Sequence, residues 1–232
     1  DIIACLMNGN LMRYDLDFNT VWRHDRIEHG PVEMELRDLD DDGTLNIIVG
    51  NHYGRVEIFD EKGNQLPSVY SELGDVQMAV GDLNGDGVPE IANGSSTGAF
   101  TLRTWRTQDG FSFPNYGFAF SQVLMGQMLG DETPELLAAS ETGYAYALNA
   151  AGEVLARHSF GDAVNDIALL PGDAPTLAAA CDDGYVYTLN GAFEPTSATA
   201  TGGRPLLVGT LQGPDGVRLL VGTRDNVQML VP

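Results

Sequence analysis

Two nine-residue stretches carry the densest oxygen chemistry in the chain: Asp38-Leu39-Asp40-Asp41-Asp42-Gly43-Thr44-Leu45-Asn46 and Asp82-Leu83-Asn84-Gly85-Asp86-Gly87-Val88-Pro89-Glu90. Both read D-x-[DN]-x-D-G-x-x-[NE]. Oxygen ligands at positions 1, 3 and 5, a backbone carbonyl at 7 and a side-chain oxygen at 9 can wrap a hard cation, and glycine at 6 permits the sharp turn. Calcium is the natural occupant, at two sites. An EF-hand would also need flanking helices and a bidentate Glu at position 12, where this chain has Val49 and Asn93. These are therefore loops between strands. Asp-Gly and Asn-Gly pairs also make good turns without any metal. Against that plainer reading, the four aspartates within residues 38–42 repel one another in a tight loop unless a cation neutralises them.

Other groupings point to structure more than to chemistry. Gly94-Ser95-Ser96-Thr97-Gly98 matches the G-x-S-x-G nucleophile elbow, but that motif works only as a strand-to-helix turn, and no helical pattern follows Ser96. His24 and His158 each follow an arginine in equivalent strands, and His29 and His52 have no ligand or catalytic spacing. Cys5 and Cys181 lie in units far apart, so they read as buried free thiols and not as a disulfide. Asn93-Gly94-Ser95 is a glycosylation sequon. Residues 105–120 hold Trp105, Phe111, Phe113, Tyr116, Phe118 and Phe120. Packing against an adjacent sheet explains them most simply. The sharper reading makes Trp105, Phe111, Phe113 and Tyr116 a partner-docking edge.

Composition limits what these residues can serve. With 33 acidic and 12 basic side chains the net charge is -21, so nucleic acid is not an expected partner. The 43% hydrophobic content fills a core, which makes the acidity a surface property. Glycine, about 12% of residues, favours turn-rich β structure, and no apolar run approaches the ~20 residues of a membrane span. Asp1 sits in an apolar stretch with neither a basic start nor a cleavage site, so the chain reads as excised from something longer.

The elements that position the loops follow from a repeat. An apolar pair followed by small residues recurs from Ile2, Ile47, Ile91, Leu136, Leu177 and Leu219, at spacings of 41 to 45 residues. Each is followed by a tight turn and an alternating strand, the signature of a β-hairpin. Five units have an alternating strand before the hairpin and five have one after it. That gives 22 strands, with the first unit lacking its inner strand and the last its outer strand. Four strands per unit of this length predict an all-β propeller of four-stranded antiparallel blades. Residues 1–232 are then one propeller domain, either six-bladed or a sector of a seven- or eight-bladed ring.

Residues 38–50 and 81–94 resemble the FG-GAP or VCBS type of propeller repeat, a family that includes the integrin α-subunit head and carries calcium between the first two strands of a blade. The resemblance implies ligand roles for Asp38, Asp40, Asp42 and Asn46, and for Asp82, Asn84, Asp86 and Glu90, with Thr44 and Val88 giving backbone oxygen. It is strong in units two and three only. Unit four has Gln127 and Leu129 at positions 1 and 3, unit five offers only Asp173, and unit six has Thr210, Gln212 and Pro214. The expected function is a non-enzymatic, calcium-stabilised scaffold that binds a protein or glycan, extracellular or in the cell envelope. One alternative is a cytoplasmic subunit of a ciliary-trafficking type of assembly. Another is a propeller enzyme, a quinone-dependent dehydrogenase or polysaccharide lyase, disfavoured by the absence of recurring tryptophans and adjacent cysteines and by the few basic residues.

Overall fold

A computed structural model describes residues 1–230 apart from 26, 71–73, 75, 108, 116–117, 131–132, 171, 173 and 214–215, with backbone only at 76 and 99. Among the described residues 22 strands form six antiparallel sheets in chain order. Sheet one holds β1 (Ile2–Cys5), β2 (Leu11–Tyr14) and β3 (Thr20–His24). Sheet two holds β4 (Pro31–Arg37), β5 (Asn46–Asn51), β6 (Arg55–Phe59) and β7 (Val69–Tyr70). Sheet three holds β8 (Val76–Gly81), β9 (Glu90–Ser95), β10 (Ala99–Thr104) and β11 (Gly110–Pro114). Sheet four holds β12 (Phe120–Gly126), β13 (Glu135–Ser140), β14 (Tyr144–Leu148) and β15 (Val154–Ser159). Sheet five holds β16 (Val164–Leu170), β17 (Thr176–Cys181), β18 (Tyr185–Leu189) and β19 (Pro195–Ala200). Sheet six holds β20 (Pro205–Gly213), β21 (Gly216–Thr223) and β22 (Val227–Leu230). Each is an up-and-down meander, so the fold is an all-β propeller of blade units, with three-stranded sheets at both ends.

The second strand of each middle sheet is apolar or small on both sides because it is sandwiched. In β5, Ile47 and Val49 face sheet one while Ile48 faces sheet three. The counterparts Ile91, Leu136, Leu177 and Leu219 face backward in the same way, and Ala92, Leu137 and Ala178 face forward. Five apolar clusters thus join the six sheets in succession. Burying one such Ile or Leu contributes about 1.5–3 kcal/mol. Small Ala and Gly on the forward faces leave room for the larger side chains of the next sheet. A Cβ at Gly94 would lie 2.7 Å from Cβ of Phe120, so this position must stay glycine for the sheets to approach.

The inner strands are cross-linked by side chains that cap the next strand's free backbone groups. Glu33 of β4 accepts the Met78 N–H of β8, Arg37 donates to the Val80 carbonyl (2.9 Å), and Asp166 of β16 accepts the Val208 N–H of β20 (2.8 Å). Burial, with Glu35 and Asp166 adding like charge, pushes the Glu33 carboxyl up to about 7. A carboxyl raised in the folded state stabilises while neutral, fully below its ordinary value near 4.5, and loses that contribution as pH rises through about 7. Glu33→Gln should therefore raise stability by on the order of 2 kcal/mol at pH 8 and change it little below pH 4.5. Urea unfolding at the two pH values checks this; an equal effect at both would remove the charge explanation.

Candidate metal centre

The two acidic loops join β4 to β5 and β8 to β9, at matching places in neighbouring sheets. Each folds on its first aspartate. Asp38 accepts the Asp42 N–H (3.3 Å) and the Gly43 N–H (2.8 Å), while Asp82 accepts those of Gly85 (2.7 Å), Asp86 (3.1 Å) and Gly87 (2.8 Å). Position 6 is left-handed in both loops, with φ of 85° at Gly43 and 84° at Gly87, which glycine adopts without steric cost. The Asp42 carboxylate accepts the Thr44 hydroxyl (2.6 Å) and N–H (2.7 Å), bonds that hold it below the usual carboxylate range.

In the first loop Asp38, Asp40 and Asp42 each bring one carboxylate oxygen to within 4.8 Å of the other two. Calcium takes oxygens at 2.3–2.6 Å, so two ligands of one ion stand at most about 5 Å apart, and this trio fits. The second loop substitutes Asn84 at position 3, whose Nδ2 donates to Asp86 (3.2 Å) and to Glu90 (3.1 Å). Its side-chain carbonyl accepts the Asp86 N–H (2.8 Å). These residues can hold a hard divalent cation through oxygen alone.

Position 9 has a second task that the motif concealed. Asn46 and Glu90 are buried, and each accepts the N–H of position 2, Leu39 and Leu83, at 2.9 Å. Glu135 of sheet four does the same for Met128 at 2.7 Å, in a loop that has Gln127 and Leu129 at positions 1 and 3. The clamp therefore persists where two of the oxygen positions have been lost. Burial, followed by the nearby charges of Asp86 and Asp82, raises the Glu90 carboxyl above its ordinary value.

Position 2 ties each loop to the following sheet. Leu39, Leu83 and Met128 are all buried. Trp105 covers the first of them: it lies in the cluster between sheets two and three, and its Nε1 donates to the Leu39 carbonyl at 3.0 Å. At 8% exposure Trp105 is a core residue, which corrects its expected place on a docking edge. It follows the end of β10, so the turn and not strand alternation directs its side chain. Phe111 and Phe113 lie on one face of β11, half-buried against the cluster between sheets three and four. Phe113 meets Tyr146 edge-on at 5.5 Å. Phe120, the first residue of β12, is buried, while Phe118 precedes the strand and is exposed. Tyr116 lies outside the described residues, as do Asp173 and Pro214. Thr210 and Gln212 pair with Leu219 and Val217 inside the extended β20–β21 hairpin, which takes the place of an acidic loop in sheet six.

The remaining candidates are structural. Gly94 to Gly98 form the β9–β10 hairpin turn, where the Ser95 and Thr97 hydroxyls bond at 2.7 Å, as Ser140 and Thr142 do at 2.8 Å in the sister turn. Asn93 is buried in β9, which removes the sequon from the surface of the folded chain. Cys5 and Cys181 are free thiols, pushed up by burial to about 11 and about 12. His24 and His158 each pack edge-on against a phenylalanine, at 4.7 Å. Among the described residues no helix is long and apolar enough to cross a membrane.

Residues 38–93, which span both acidic loops, match the family model described as FG-GAP-like repeat. With the blade architecture, this describes a β-propeller that carries an FG-GAP-like repeat in its second and third sheets. Two solved structures of BBS1N in complex with ARL6DN share the fold. The mercury-soaked one aligns with a TM-score of 0.72 at 12% identity, covering 98% of this chain and 73% of that one. The lead-soaked one gives 0.67 at 14% identity, covering 84% and 63%, so in that alignment this chain spans less than two-thirds of its counterpart. At such identities the likeness is one of fold. A search of curated proteins finds no match to this sequence.

Proposed function

We propose that this chain is a calcium-stabilised β-propeller module that binds another protein and performs no catalysis of its own. The observation that carries the metal reading is the convergence of Asp38, Asp40 and Asp42 within an FG-GAP-like repeat. Calcium occupies both acidic loops, held by Asp38, Asp40, Asp42, Asn46 and the Thr44 carbonyl in one and by Asp82, Asn84, Asp86, Glu90 and the Val88 carbonyl in the other. Because position 9 already clamps position 2, the ion closes the outer half of a loop whose inner half is fixed by protein. Supporting a protein partner is the fold likeness to BBS1N, which was solved in complex with ARL6DN. The same likeness favours an intracellular assembly subunit over the extracellular or cell-envelope reading.

A net charge of -21 selects a partner with a basic contact surface and accelerates encounter through long-range attraction. The immobilised chain, challenged with protein and glycan arrays in calcium and then in EDTA, should capture basic proteins. Association should slow as salt rises and capture should weaken on chelation. Glycan capture alone, or turnover of a polysaccharide, would overturn the protein-binding reading.

A further inference from the structure

A cavity of about 560 Å³ lies between β11 of sheet three and strands β14 and β15 of sheet four. Both flanking sheets are complete four-stranded blades, and the volume is in the range of ligand pockets. Sister positions show why the gap stays open. In three sheets a residue beyond the outer strand donates its N–H to a hairpin-turn glycine of the same sheet: Ile27 to Gly9 (2.8 Å), Asn115 to Gly98 (2.9 Å) and Phe160 to Gly143 (2.8 Å). Ile27 is buried in the cluster between sheets one and two, and Phe160 packs on Tyr187 of sheet five at 5.3 Å. Both seal the gap to the following sheet with apolar volume. Asn115 leaves the matching gap as a cavity and lines it.

Two polar groups in this cavity lack the partners their chemistry calls for. Asn115 is only 2% exposed, and its Nδ2 donates to the carbonyls of Phe118 (2.6 Å) and Ala119 (3.3 Å) and to Ser140 Oγ (2.6 Å). These bonds fix the amide, while its Oδ1 accepts no hydrogen bond among the described residues, an exception among buried polar groups. Arg157 lines the same cavity. The ion pairs of the described residues engage Arg13, Arg23, Arg55, Lys62 and Arg204, and leave Arg157 without a carboxylate in a chain that has 33 acidic side chains. Its guanidinium lies over the Tyr144 ring at 5.8 Å, which holds the group by its face and leaves its N–H edge available. Phe113, Tyr146 and Leu155 supply the apolar wall, with the two rings edge-on at 5.5 Å.

An unpaired cation, a single amide acceptor and an apolar wall select a ligand that carries a carboxylate, an N–H and an apolar group on neighbouring atoms. The last residue of a polypeptide has that arrangement. We propose that this cavity captures the free C-terminus of a partner protein that ends in an apolar residue. The terminal carboxylate pairs with Arg157, the N–H of the last peptide bond donates to Asn115 Oδ1, and the last side chain lies against Phe113, Tyr146 and Leu155. This site presupposes the protein-binding reading and is independent of the metal loops.

The probe is the peptide acetyl-Gly-Gly-Leu-Leu, made once with a free C-terminal carboxylate and once as the C-terminal amide. Titrated into the whole isotope-labelled chain, the acid should saturably shift the NMR signals of the Asn115 side-chain amide, the Arg157 Nε–H and the Leu155 methyls. The amide should bind at least tenfold more weakly, and so should the acid to an Arg157→Gln chain. Methylating the nitrogen of the last peptide bond should weaken the acid several-fold. Arg157 is exposed, so its variant should keep its β circular dichroism. Absent shifts at millimolar peptide, equal binding of acid and amide, or undiminished binding by Arg157→Gln would overturn the proposal. So would matching shifts from methyl glucoside, which would make the cavity a sugar site. Capture of basic proteins that persists in Arg157→Gln and after removal of their last residue would overturn this site and leave the protein-binding reading standing.

Discussion

Trp105→Ala should cost about 3–5 kcal/mol of stability, the range for truncating a large aromatic in a packed core. Trp105 joins three levels of structure: it fills the interface of sheets two and three, it caps the Leu39 carbonyl, and through Leu39 it bears on the first acidic loop. Trp105→Phe keeps most of the apolar volume and leaves a buried carbonyl unpaired, at about 1–3 kcal/mol. Both variants should also lower calcium affinity at the first loop and spare the second. Urea unfolding and calcium titration read the two effects separately. An unchanged midpoint for Trp105→Ala would return this residue to a surface role.

Calcium should raise the melting temperature by about 10 °C or more. A ligand at one hundred times its dissociation constant stabilises by about 2.7 kcal/mol per site, and a domain of this size gains roughly 2–4 °C per kcal/mol. Asp42→Ala and Asp86→Ala should each remove about half of the gain. The two loops should respond alike, since each offers three ligand carboxylates, Asp38, Asp40 and Asp42 in the first and Asp82, Asp86 and Glu90 in the second. A calorimetric scan in calcium and in EDTA measures the difference, and coincident transitions would mean that the loops fold without an ion.

Much of the architecture was legible because a repeat states its pattern several times. The tally of 22 strands, and their division into a first sheet without an inner strand and a last without an outer one, agree with the structure. Long-range side-chain contacts were not legible. Trp105 reads as one aromatic among six, and only the fold brings it against Leu39, 66 residues earlier in sequence. The clamp made by Asn46, Glu90 and Glu135 was hidden for a different reason. Residues that can hold a metal can also accept a backbone N–H, so the motif alone does not separate the two tasks. The loss of the sixth loop had a sequence signal, Thr210 and Gln212 in place of carboxylates, whereas the β20–β21 hairpin that replaces it had none.

The most direct test of the metal loops is a count of bound ions by equilibrium dialysis against radioactive calcium. Two ions per chain are expected for the native protein, one after Asp38→Asn with Asp42→Asn, and one after Asp82→Asn with Asp86→Asn. No ion retained at millimolar calcium, or two retained by both double variants, would contradict the assignment of these loops as cation sites.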